Sequence, residues 1–271
     1  DELEAEAGTA HTPDAEAPKH QKTPNYIMVV VTQRDVAFAA LGCAAGATAV
    51  VMRRQFARRV KATFDPSWRP GKKQAGPYFG KSLTLEPGEL KSKYLFFISA
   101  YVPRPIALVS SISEGGVVNL APFSYSGIMN HDPGTIAFSV VDKGRAGGDT
   151  LKNVTATKQF VVHVMSEWFL EAANHTCGNF TPDVNEFQEA GLTEVPSMKV
   201  RPPRVAESAL AFECELQHVI PLTNDDDKVT STILIGKVIL IHVNEAVYDA
   251  ENGVVIPEKL RPMARLGGNT Y

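Results

Sequence analysis

From residue 90 onward the sequence is written in short β-prone runs parted by turn residues, with no long helical stretch between one run and the next. Runs rich in Val, Ile, Phe and Thr occupy residues 94–99, 106–113, 117–122, 135–141, 160–165, 209–220 and 230–243. Helical periodicity is confined to 149–158, 166–173 and 185–190. Parallel strands need a crossover helix between neighbours, so this order argues against a doubly wound α/β sheet. It predicts a mainly β fold, an antiparallel barrel with a few short helices.

The most informative stretch is residues 102–130. Residues 106–112 read as a strand, Glu114, Gly115 and Gly116 as a hairpin turn, and Val117 as the start of the return strand. Polar residues bunch where the strands end: Ser110, Ser111, Asn119, Ser124 and Ser126. Ala121, Pro122 and Gly127 are small or rigid and let a flat ligand approach the backbone. The stretch therefore reads as a binding edge. On the residues alone its polar groups are equally explained as ordinary hairpin positions.

A glycine-bearing loop, residues 144–148 with Arg145 inside it, leads into a helix that opens on Asp149 and Thr150. A helix start offers unpaired N–H groups and the positive end of a dipole, which suits a phosphate. Asp149 as a plain N-cap is the competing reading. Arg104, between two prolines, suits a phosphate or a salt bridge. His175 and Cys177 sit in a polar loop, with His175 read as a contact rather than a catalyst. His131 and Asp132 read as a turn before Pro133. Residues 224–227 form a charged hairpin tip without the spacing of a calcium loop, and no metal site is predicted.

Four words in this order complete the picture: Pro-Arg-Pro-Ile at 103–106, Asn-Leu-Ala-Pro-Phe-Ser at 119–124, Asp-Thr with Asn153 at 149–153, and Arg-Leu-Gly-Gly at 265–268. Together they resemble the flavin reductase-like family, the FMN-binding split-barrel flavoproteins of Greek-key topology, over residues 90–271. The resemblance implies hydride transfer from NAD(P)H to flavin, FMN as cofactor, and a homodimer with flavin at the subunit interface. It places Arg104, Ser110, Ser111, Asn119, Ala121, Ser124, Arg145, Asp149, Thr150, Asn153 and His175 around the cofactor, with no catalytic side chain assigned. Where the family usually has Lys before the Asp, this chain has Gly148.

The remainder of the chain predicts an attachment. Residues 1–26 form an acidic tail unable to bury enough apolar surface to fold alone. Residues 27–61 are expected to form a membrane-anchor helix with a basic flank. The uncharged stretch 36–52 would span about 25 Å as a helix against a hydrocarbon core of about 30 Å. Arg53, Arg54, Arg58, Arg59 and Lys61 follow it directly, while Gly42 and Gly46 offer a close-packing face for a second helix. Residues 62–89 read as a Pro/Gly-rich linker. The charge asymmetry and a start at Asp1 predict a thylakoid or mitochondrial inner membrane, with the barrel on the stromal or matrix side. The acidic tail, the Gly42 and Gly46 face and Gly148 in place of Lys lean toward an alternative to a free reductase, a non-catalytic accessory subunit of a larger membrane complex. A net charge of −3 argues against nucleic acid, and three cysteines without a Cys-x-x-Cys argue against a disulfide framework.

Overall fold

The computed structural model describes residues 67, 69–73, 80, 82–142 and 148–271, and the chain divides into two units at residues 82 and 83. The expected acidic tail, the anchor helix with Gly42 and Gly46, most of the linker, and Arg145 lie outside the described residues. Among the described residues no helix is long and apolar enough to cross a membrane. In the first unit, Lys72 donates its N–H to the Arg69 carbonyl at 3.0 Å, closing a turn at Gly71.

The second unit opens with helix α1 (Lys93–Ala100) and the short strand β1 (Arg104–Pro105). Strands β2 (Ala107–Ile112), β3 (Val118–Phe123), β4 (Ser126–His131) and β5 (Gly134–Val141) follow, then helix α2 (Gly148–Thr157) and β6 (Gln159–Val164). Helices α3 (Leu170–His175) and α4 (Glu186–Ala190) precede the short pair β7 (Glu194–Val195) and β8 (Arg204–Val205). The long strands β9 (Leu210–Thr223) and β10 (Val229–Val243) come next. A second short pair, β11 (Tyr248–Asp249) and β12 (Val254–Val255), helix α5 (Pro257–Leu260) and β13 (Ala264–Arg265) complete the chain.

Seven strands pair antiparallel in the order β3-β2-β6-β9-β10-β5-β4. The two end strands, β3 and β4, are joined by Ser124 and Tyr125 alone, so the sheet must roll until its ends nearly meet. The Ser139 N–H closes on the Tyr125 carbonyl at 2.8 Å. Register shifts in the β9–β10 ladder, one of them at Gly236, supply local twist. The mainly β, antiparallel barrel expected from the sequence is present.

Strand β2 is buried on both faces, with Leu108 and Val109 at 0 % exposure. Val109 faces the barrel interior with Phe138, Phe160, Val162, Cys214 and Leu234, and Val154 of α2 closes that core. Burial pushes the Cys214 thiol up to about 12, leaving it inert as a nucleophile. Leu108 faces outward into a second core with Leu120, Met165, Phe169, Phe187 and Leu192.

Three sequence expectations need correction. Residues 94–99 were expected as a strand, and they form α1. The Ser92 hydroxyl accepts the Leu95 N–H at 3.2 Å, and a short all-apolar run carries no period that separates the two states. Strand β4 was not expected, because its Ser-Gly-Ile-Met-Asn-His sequence lacks alternation; pairing with β5 imposes it. The expected helix at 166–173 is a short 3-10 turn, Glu167–Phe169, running into α3.

The barrel's outer face holds segment 197–205 by buried polar side chains. Ser110 Oγ donates to the Pro203 carbonyl at 2.5 Å. His163 Nδ1 bonds the Leu108 carbonyl at 2.9 Å while its Nε2 accepts the Val205 N–H at 3.0 Å, so the ring is neutral and its tautomer fixed. The Glu213 carboxylate accepts the N–H groups of Met198, Lys199 and Val200 as well as His242 Nε2.

Two expectations follow. A Cβ on Gly236 would lie 2.2 Å from Phe160 Cζ. Gly236→Ala is therefore expected to lose roughly 1–3 kcal/mol of stability in urea unfolding; unchanged stability would show that the Phe160 ring can move. Burial lowers His163 to about 4 from its ordinary 6.5. On acidification the unfolded chain takes up a proton that the folded ring refuses, so stability falls from about pH 6.5 to about pH 4 and levels below. The loss from this group is roughly 3 kcal/mol. The pH slope of unfolding for His163→Gln should lack it, and an identical slope would refute the assignment.

Candidate functional site

The expected contact residues fall into three places. The first is the end of the barrel capped by α2. Asn119 Nδ2 donates to Thr150 Oγ1 at 2.9 Å, and Asn153 Nδ2 donates to Ser111 Oγ at 3.2 Å. All four side chains are buried. These pairs join the β2–β3 hairpin to the start of α2, so the hairpin and helix words of the sequence form one structure. Both hydroxyls act as acceptors here; Ser111, at 0 % exposure, is closed within the barrel end, while Thr150 lies at the start of α2. Ala121 lies beside them on β3, paired with Val109.

The second place is the far end of β3. Arg104 Nε approaches Ser124 Oγ at 3.5 Å, and Arg104 Nη1 donates to the Tyr101 carbonyl at 3.2 Å and to the Ile98 carbonyl. Arg104 forms no ion pair among the described residues; it caps the C-terminal end of α1. The third place is the C-terminal end of α3. His175 is exposed and meets the Phe180 ring edge-on at a centroid distance of 5.7 Å. Ser110 belongs to none of the three, since its side chain faces the outer core and segment 197–205.

Sequence reasoning missed Glu186. This side chain is buried at the start of α4, and its carboxylate accepts the Leu120 N–H at 3.0 Å. Strand β3 is a sheet edge, so that N–H has no strand partner, and Pro122 two residues on has no N–H to offer. Burial raises the Glu186 carboxyl above its ordinary range, helped by the nearby charge of Asp149. Asp149 itself lies 3.9 Å from Lys152, an exposed pair worth little. The only early hint of Glu186 was its place directly after Asn185, whose side chain caps α4.

The closing segment was also under-read. Arg265 Nη1 donates to Tyr271 Oη at 2.7 Å with its guanidinium 4.6 Å over that ring, and Arg265 Nη2 reaches the Gly268 carbonyl. Tyr271 Oη in turn meets Asn174 Oδ1. Gly267 adopts φ +101°, and a Cβ added there would lie 3.3 Å from Ser99 Cα of α1. A separate cavity of about 220 Å³, lined by Val140, Asp142, Leu151, Val229, Ser231 and Thr232, borders α2 but contains none of the expected contact residues. Among the described residues no group of three or more His, Cys, Asp or Glu could hold a metal ion.

The isoalloxazine of a flavin is flat and its phosphate is dianionic. The β3 edge beyond Leu120, which no further strand pairs, suits the ring, and the start of α2 at Thr150 suits the phosphate. The carboxyl groups of Asp149 and Glu186 oppose the phosphate's charge. The donor set thus fits a flavin, with an electrostatic cost at the phosphate end.

Comparison with known proteins gives the family. Residues 99–260 match the flavin reductase like domain. The protein YwrF of Bacillus subtilis is 38% identical over 181 residues, covering 67% of this chain and 88% of its own. Nitrilotriacetate monooxygenase component B from Bacillus cereus superposes with a TM-score of 0.68 at 35% identity, over 71% of this chain and 96% of that one. The 2-nitrobenzoate 2-nitroreductase NbaA of Pseudomonas fluorescens gives 0.61 at 29% identity, over 70% and 90%. With its rolled seven-stranded sheet, its α2-capped hairpin and these matches, the chain belongs to the flavin reductase-like family.

Proposed function

We propose that residues 83–271 form an FMN-binding oxidoreductase that takes hydride from NAD(P)H and passes reducing equivalents onward. The observation that carries this reading is the coupling of the β2–β3 hairpin to the start of α2 through Asn119–Thr150 and Ser111–Asn153, beside an uncovered strand edge. Bound flavin would supply the hydride chemistry. The chain's own residues do the rest. The start of α2 at Thr150 holds the phosphate, Asn119 and Ser111 brace that end through Thr150 and Asn153, and Ala121 allows close approach of the ring. Pro122 leaves the edge without a competing donor, and Ser124 and His175 border the approach of the reductant.

The wider reading keeps the expectations from the sequence. Residues 27–61 would tether the domain to an organellar membrane through one helix, with Gly42 and Gly46 packing on a partner helix. The domain would act as a homodimer or inside a larger membrane complex. The carboxylates of Asp149 and Glu186 beside the phosphate seat, with Gly148 in place of a cation, favour one variation: an accessory subunit that holds flavin weakly.

The full chain, purified and titrated with FMN, is expected to develop a flavin absorption band that bleaches on adding NADH or NADPH. A chain that binds no FMN would reject the enzyme reading. Glu186→Gln keeps an acceptor for the Leu120 N–H and removes a charge, so FMN should bind several-fold tighter, roughly the value of one partly screened charge contact. Weaker binding in a normally folded variant would mean that the phosphate lies elsewhere.

A further inference from the structure

We propose that Arg104 and Arg265 together form an oxyanion subsite, separate from the flavin phosphate seat, which receives a phosphate or carboxylate group of the molecule exchanging hydride with the flavin. Residues 104 and 265 are direct register partners in the antiparallel β1–β13 ribbon, so their side chains leave it on the same face. Arg104 is only 5 % exposed. Neither guanidinium meets a carboxylate among the described residues, where the ion pairs are Lys152–Asp149, His242–Glu213 and Arg261–Glu167.

Carbonyl and hydroxyl partners satisfy hydrogen bonds without cancelling charge. The C-terminal end of α1 supplies Arg104 with about half a negative charge at most. Two guanidinium groups beside that single helix end leave more than one positive charge uncompensated, a costly arrangement where one of them is buried. Arg104 Nη2 and Arg265 Nε have no protein partner among the described residues. Arg104 Nη2 is also absent from the sealed, unpartnered polar atoms, which are Ser166 Oγ and Arg204 Nε, so it keeps an opening to solvent.

The location gives the pair its use. Arg104 Nε lies at Ser124, where β3 leaves the edge assigned to the flavin ring. Arg265 is fixed by the Tyr271 ring and hydroxyl, and Tyr271 is tied to Asn174, beside His175 at the C-terminal end of α3. A guanidinium presents paired donors to two oxygens of a phosphate or carboxylate. Asp149 and Glu186 lie toward the other end of β3. An anion arriving here therefore meets the favourable sign of charge.

The role at the flavin rests on the function proposed above, whereas anion binding by the pair does not. The test uses the full chain without flavin and titrates inorganic pyrophosphate and, separately, benzoate by calorimetry. At least one should bind, and Arg265→Gln should weaken it roughly tenfold or more, the value of a lost charge-assisted contact. Arg265→Lys keeps the charge without the fork and should fall between, which covers the case of a Gln variant that does not fold. Tighter pyrophosphate assigns the subsite to the dinucleotide, and tighter benzoate assigns it to an acidic acceptor. Absence of binding by either probe, or binding untouched by both substitutions, would overturn the proposal and leave the arginines as a structural clasp. Pyrophosphate or benzoate binding in a chain that takes up no FMN would keep the subsite and reject the flavin reading.

Discussion

Strand β2 has no exposed face, and the domain is arranged around satisfying it. Val109 and Leu108 each need apolar cover on opposite sides, which the barrel interior and the α3–α4 layer supply. The polar residues that follow then have to be satisfied without water. Ser111 turns inward and is met by Asn153 of α2, while Ser110 turns outward and is met by the Pro203 carbonyl. Adjacent residues of identical type thus serve opposite layers. Period-two alternation along one strand decides which serine can belong to the helix-capped end and which fastens the outer wrap.

The two ends of β3 differ in charge more than in shape. At the α2 end the fixed groups are a buried carboxylate and an N-terminal aspartate, and the donors are neutral hydroxyls and amides. At the α1 end the groups are two guanidiniums held by carbonyls and a phenol. A molecule laid along this strand would meet an acidic boundary at one end and a basic one at the other. Such polarity favours one orientation of a charged ligand over the reverse.

Much of the fold was legible because the barrel strands carry strong alternating or β-branched runs with turn residues between them. The hairpin at 106–120 and the long pair β9–β10 were visible for that reason. The exceptions have physical causes. Residues 93–100 carry no period that distinguishes helix from strand, and β4 is a strand only because β5 provides its partner. At the site, the spacing of Ser111, Asn119, Thr150 and Asn153 gave no sign that they would pair with each other, because those contacts span 31 and 42 positions. Glu186 was invisible for the same reason: its task is set by an orphan N–H that only the sheet order creates. The place of Arg104 at the end of α1 depended on a helix read as a strand.

Pro122 also has a consequence for the β3 edge as a whole. An exposed edge strand is a template on which another chain can add itself, rung by rung, through its unpaired N–H and C=O groups. On β3 one outward rung is occupied by the Glu186 carboxylate and the next lacks its donor altogether. A foreign strand could make no continuous ladder there. The same two residues that shape an opening for a small flat molecule therefore close it to a polypeptide, so the domain can keep an accessible sheet edge without turning it into a seed for aggregation.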